Sequence, residues 1–221
     1  MTDLLFLLCL IIPIIASVNV SSTYKKMKKF NSVSGKTGFE VAREMLDRNG
    51  LSNIYVVETP GELTDHYDSR RQTIRLSTDV FHGTSIASLS VAAHECGHAI
   101  QDKEGYKPMR IRSKIVPTVN ICSKLGYIAI ILGAIFSYQL IEIGIILLAT
   151  ILVFELITLP VEFNASKRAL NELNKLKLIK KEEQTKAKSM LSAAAFTYVA
   201  SLITSFLQIL RLVLIFGNRR D

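Results

Sequence analysis

The chain has 221 residues and a net charge of +8, with 27 Lys and Arg against 19 Asp and Glu. Its hydrophobic content of 49% and mean hydropathy of +0.29 exclude an ordinary soluble domain, because the apolar residues are bunched into runs long enough to cross a bilayer. The basic residues flank those runs and are not interleaved with aromatic side chains, which argues for membrane topology and against nucleic-acid binding.

Residues 4–20 are almost unbrokenly apolar, and Lys25, Lys26, Lys28 and Lys29 follow directly. The segment has Asp3 before it and no basic lead, so 1–20 reads as an uncleaved N-terminal transmembrane helix, not a secretory signal. Residues 37–48 (TGFEVAREMLDR) carry apolar side chains at helical spacing and predict an amphipathic helix. Residues 54–57 (IYVV) predict a strand, Pro60-Gly61 a turn, and 63–71 (LTDHYDSRR) a polar, turn-like stretch. The alternation of 73–77 predicts a short half-buried strand, and 84 to about 103 predicts the next helix. Residues 109–124 lead into a second apolar run, 125–161. It exceeds one untilted crossing and reads as a transmembrane hairpin turning near 139–144. A hairpin returns Glu162 to the side that holds residues 21–124. Residues 169–184 predict a charged helix, so 162–189 forms a second polar segment. Residues 190–217 are a last apolar stretch, transmembrane or re-entrant. A complete crossing would put Arg219 and Arg220 outside, against the charge rule.

The chemistry-bearing pattern is His94-Glu95-Cys96-Gly97-His98 within the helix over 84–103. Two histidines four residues apart share one helix face and can grip a single zinc ion, leaving Glu95 beside the metal to take a proton from water. Gly97 reads as leaving room where metal or substrate approaches. Cys96 is two residues from each histidine and points elsewhere, as a small buried hydrophobe. Three cysteines without a CxxC pattern form no disulfide framework. A catalytic zinc needs a third protein ligand. The remaining histidines, His66 and His82, compete with Glu162, the favoured acid, which follows Pro160 at the end of the hydrophobic run. Glu155, an acid inside that run, reads first as a helix–helix hydrogen-bonding group and only secondarily as a metal partner.

Residues 39–46, 63–77 and 94–101, and above all the LPVEFNAS stretch at 159–166, resemble the YugP-like neutral zinc metallopeptidases, small bacterial membrane proteins. More distantly, HExxH followed by Glu-x-x-Ala resembles the HtpX and CAAX-processing peptidases, the glutamate-zincins. The resemblance implies a predominantly α-helical integral membrane protein carrying a small α+β zincin-like metallopeptidase domain, whose HExxH helix is preceded by a short edge strand. It implies one Zn2+ held by His94, His98 and Glu162, with Glu95 as general base. His66, Tyr67 and Arg168 are candidates to steady the oxyanion. Where the distant group carries Asp four residues after the ligand glutamate, this chain has Ser166, so support for the ligands is sought from Asn164 or Asp68 as well. The strand over 73–77 stands where such peptidases hold substrate by β-addition. The implied function is a membrane-bound zinc endopeptidase of the bacterial cytoplasmic membrane, multi-pass, with its active site facing the cytosol. Its partners would be the bilayer and a membrane or membrane-adjacent polypeptide substrate, with no nucleic acid. The alternative is a zinc-stabilised scaffold or assembly factor without turnover.

Overall fold

The computed structural model describes residues 1–217, so the Arg219 and Arg220 pair lies outside the described residues. The chain divides into two compact units. Among the described residues, one comprises 1–17, 107–160 and 196–217, and the other 18–106 and 161–195.

The second unit is built from the end of α1 (Thr2–Lys28), then α2 (Gly38–Arg48), β1 (Tyr55–Thr59), β2 (His66–Asp68), β3 (Thr73–Ser77), α3 (Thr78–His82) and α4 (Ile86–Lys103). Thr37 caps α2 by a reciprocal capping box. Its hydroxyl accepts from the Glu40 N–H, while the Glu40 carboxylate accepts from the Thr37 N–H. The apolar face of α2, with Val41, Ala42, Met45 and Leu46, is fully buried. It packs with Ile74 and Leu76 of β3, Leu89 and Ala93 of α4, and Tyr24 of α1 into one core.

The sheet has the order β1-β3-β2, β1 parallel to β3 and β2 antiparallel to it. The strand ahead of the motif helix is therefore in place, but it is the central strand. The edges are β1 and β2, the latter within the stretch that its composition marks as a turn. Polar His66, Tyr67 and Asp68 suit an edge because one side of the strand is not buried in the core. Asp68 closes the β2–β3 connection by accepting from the Arg70 and Arg71 N–H groups.

The first unit takes its apolar mass from α1, α5 (Lys107–Phe136), α6 (Tyr138–Lys175) and α7 (Gln184–Gly217). Each of these four helices is long and apolar enough to cross a membrane. Side chains such as Ile131, Ile135 and Ile146 are exposed, which suits a hydrocarbon solvent and not water. Helix α5 gives way to α6 at Ser137, just ahead of 139–144. The two then pack closely through Gly126 and Gly144, where an added Cβ would meet backbone at 3.1 and 2.8 Å. Within this unit the Ser201 hydroxyl donates to Glu155 Oε1 at 2.5 Å, linking α7 to α6. Glu155 is thus a helix–helix hydrogen-bonding group.

Helix α6 does not restart after the apolar run. It continues through Pro160 to Lys175, so Glu162 is a mid-helix residue, and the charged helix expected over 169–184 is replaced by the end of α6 and a turn before α7. Proline is tolerated here at the cost of one intrahelical hydrogen bond.

Candidate metal centre

Ser85 opens α4, its hydroxyl accepting from the Ser88 N–H. The helix is buried over most of its length, which its small residues Ala92, Ala93, Gly97 and Ala99 allow. Gly97 has a different role from the one its place in the motif suggests. A Cβ there would lie 2.6 Å from the Ala165 carbonyl oxygen. Glycine at this position lets the α6 backbone lie directly on the motif helix. Ala165 is three residues beyond Glu162, so the same contact carries the Glu162 carboxylate to the two histidines.

Glu162 Oε2 lies 3.2 Å from His94 Nε2 and 3.4 Å from His98 Nε2. Glu162 is 1% exposed, while His94 and His98 keep a small accessible face. These three residues form the one cluster among the described residues able to hold a metal by three such ligands. The donor set suits zinc. Metal–ligand bonds of about 2.0–2.1 Å in a tetrahedral arrangement place ligand atoms about 3.3–3.4 Å apart, within about 0.1 Å of both separations.

The outer ring nitrogens also have partners. Ser166 Oγ is 3.2 Å from His94 Nδ1, so the serine standing in place of the distant relatives' aspartate does meet a histidine of the cluster. His98 Nδ1 is 3.0 Å from Gln101 Oε1. Gln101 is completely buried, and its amide nitrogen donates to the Val161 carbonyl at 2.8 Å and to Asn164 Oδ1 at 2.9 Å. The sequence reading passed over Gln101. The available signal was its spacing, since 94, 98 and 101 follow one another by four and three residues along a single face of α4. Asp68, the other support considered, is committed to its own turn.

Glu95 is buried beside this cluster. Burial pushes its carboxyl up to about 7, with the Glu162 carboxylate adding to the rise and His94 and the Tyr67 backbone N–H opposing it. That N–H belongs to β2, so the sheet edge reaches the motif glutamate. Tyr67 is anchored there by its hydroxyl, which donates to Asp102 Oδ2 at 2.9 Å. His66, also on β2, is exposed, with its Nδ1 2.8 Å from the Thr64 carbonyl oxygen. His82 pairs with Glu58 and is not in the metal-ligand cluster. Arg168 donates from Nε to Asn164 Oδ1 at 2.7 Å and from Nη2 to Glu104 Oε2 at 2.7 Å, holding the Glu104 carboxyl below its usual range. Cys96 is buried against the Ala42 carbonyl, and burial pushes its thiol up.

A His-His-Glu cluster with a buried glutamate at its side, in a chain with four bilayer-length apolar helices, defines the class of membrane metallopeptidases. The family described as "Putative neutral zinc metallopeptidase" matches residues 2–217, and the chain belongs to it. It is 45% identical over 207 residues to the "Putative membrane protease YugP" of Bacillus subtilis (strain 168), covering 93% of this chain and 92% of that protein. No solved structure matches. The chain is thus a multi-pass bacterial membrane protein of a zinc-metallopeptidase family.

Two expectations follow from the site. Substituting Gly97 by Ala forces α6 away from α4 and is expected to weaken zinc binding by at least about 10-fold, a cost typical of displaced ligand support. Chelator competition on the purified protein measures this, and unchanged affinity would contradict the role given to the glycine. The second concerns the zinc-free protein. Glu95 keeps its proton in the folded state between the ordinary carboxyl range near 4.5 and about 7, while the unfolded chain loses it. Its contribution to stability is therefore present at low pH and lost as pH rises through that window. Glu95→Gln removes the titration. In the presence of chelator the variant should be more stable than the wild type at pH 8, by on the order of a few kcal/mol in unfolding free energy, with the gap closing toward pH 5. A pH-independent gap would contradict this.

Proposed function

We propose that His94, His98 and Glu162 hold one zinc ion and that the chain hydrolyses peptide bonds of membrane or membrane-adjacent polypeptides at the cytosolic surface. The observation that carries the reading is the buried three-ligand cluster with Glu95 beside it. A buried Glu162 carboxylate, with only neutral side chains against the outer nitrogens of the two histidines, calls for a cation. Bound zinc supplies Lewis acidity, lowering the pKa of a water and polarising the scissile carbonyl. Glu95 takes the proton of the attacking water and returns it to the leaving amine, a task suited to a carboxyl whose pKa lies near neutrality. The oxyanion is assigned to a donor on β2, where His66 is exposed and the Tyr67 N–H reaches Glu95. Arg168, also a candidate in the sequence, spends its donors on Asn164 and Glu104, which favours a positioning role. The free β2 edge suits an extended substrate segment, which gains backbone hydrogen bonds there.

Membrane proximity rests on sequence continuity, since Glu162 follows the apolar part of its own helix by two residues after Pro160. The cytosolic orientation rests on the lysines that flank the apolar runs, Lys25 to Lys29 after the first and Lys167 to Lys188 before the last.

Glu95→Gln is expected to retain zinc and fold while losing 10²- to 10⁴-fold in cleavage rate. The assay is the proteome of cells carrying wild-type or variant protein. Substrates that accumulate with the variant as they do in a deletion strain support a peptidase. Full function retained by the variant would point to a scaffold. For orientation, cysteines placed at Lys103 or Lys181 should resist a membrane-impermeant thiol reagent in intact cells and react after permeabilisation. Strong labelling of intact cells would reverse the topology.

A further inference from the structure

We propose that Arg168, Asn164 and Gln101 form a polarity relay that fixes His98 as an Nε2 metal ligand, with Gln101 as the positioning residue on which it converges. The proposal rests on the zinc reading above. An amide side chain can present either its oxygen or its nitrogen to a neighbour, and a neutral imidazole can carry its proton on either ring nitrogen. At each step of this chain the choice is forced.

The guanidinium of Arg168 can only donate. Its Nε reaches Asn164 at 2.7 Å, so the atom it meets must be the amide oxygen. Its Nη2 is held by Glu104, which stops the guanidinium turning away. The Asn164 oxygen is also 2.9 Å from Gln101, which must therefore offer its nitrogen. The Val161 carbonyl, which can only accept, demands the same nitrogen at 2.8 Å. Two independent anchors thus set one orientation of Gln101. Its oxygen is left facing His98 Nδ1 at 3.0 Å, and that ring nitrogen must carry the proton. The lone pair falls on Nε2, the atom beside Glu162 Oε2. Gln101 itself has no exposure, so water cannot substitute for a misplaced partner at its amide.

His94 has no such constraint. Its Nδ1 faces the Ser166 hydroxyl, which can donate or accept and leaves the tautomer open. The relay also ties the two ligand-bearing helices together, because Val161 directly precedes Glu162. One buried amide therefore sets the proton position of one ligand and grips the backbone beside another. Among side chains of this length only glutamine has an acceptor for His98 and a donor for Val161 and Asn164. Glutamate has acceptors alone.

The test is zinc affinity of the full-length purified protein, measured by competition with a chelating dye, together with ¹⁵N NMR of the histidine rings in the metal-free state. A carboxylate facing a ligand histidine ordinarily strengthens it, so a simple contact predicts tighter binding in Gln101→Glu. The relay predicts the opposite, a loss of at least about 10-fold, because the carboxylate meets two acceptors. Asn164→Asp keeps an acceptor for both donors and should bind within about threefold of wild type. Arg168→Met leaves the Val161 carbonyl holding the Gln101 nitrogen, so it should cost no more than about threefold and keep the His98 Nδ1 proton in the metal-free spectrum. Gln101→Met keeps the length but removes both the acceptor and the donors, and should lose about 10-fold with that proton no longer fixed. Undiminished affinity in Gln101→Glu, or a His98 Nδ1 proton still fixed in Gln101→Met, would overturn the relay. Should Gln101→Glu fail to fold, Gln101→Met decides. A wild-type chain that binds no zinc would overturn the metal centre and the relay with it, whereas zinc binding insensitive to both Gln101 changes would overturn the relay alone.

Discussion

The close approach of α6 to α4 at Gly97 is the constraint on which the site depends. A methyl group at this position would stand 2.6 Å from the Ala165 carbonyl oxygen, inside any tolerable contact distance. With glycine there, the two helices touch backbone to side, and Glu162 arrives within 3.4 Å of both imidazoles. The surrounding residues continue the same logic, since Ala165 and Ala169 of α6 and Ala93 and Ala99 of α4 are all fully buried and small. Burying Glu162 and Glu95 together costs several kcal/mol in lost hydration. A doubly charged cation held between the histidines and Glu162, as proposed above, would offset that cost.

Much of this was legible from the chain. The HExxH spacing brings His94 and His98 together because helical periodicity alone puts them on one face. The capping pair Thr37 and Glu40 and the apolar face of α2 mark that helix. The length of the apolar run over 125–161 demands two helices, and that return is what makes Glu162 available. Other features were hidden for physical reasons. β2 has no apolar alternation, because an edge strand with polar side chains need not bury either face, and so it reads as a turn. The continuity of α6 through Pro160 is invisible locally, since proline favours a break unless tertiary packing offsets the lost hydrogen bond. Gly97 has open backbone space as its sequence-level meaning, and only the fold shows that another helix fills it. Gln101 looks like an ordinary polar helix residue until α6 brings Val161 and Asn164 to its amide.

The membrane unit follows the same economy. Its acid at position 155 satisfies one oxygen on Ser201, a pairing between helices of the kind that low-dielectric surroundings favour. Gly126 and Gly144 bring α5 and α6 together where the hydrophobic effect cannot, because hydrocarbon solvates apolar side chains as well as protein does. The residues of the metal-ligand cluster lie in the other unit, on one helix and in the stretch that follows Pro160.

The central claim is that two imidazoles from α4 and one carboxylate from α6 make a zinc site. X-ray absorption of the purified protein with its native metal, alongside elemental analysis, tests it most directly. The account predicts one zinc per chain with two imidazole nitrogens at about 2.0–2.1 Å and the remaining ligands oxygen. A sulfur ligand at about 2.3 Å, which would bring Cys96 out of its buried position, or a chain that carries no zinc at all, would contradict it.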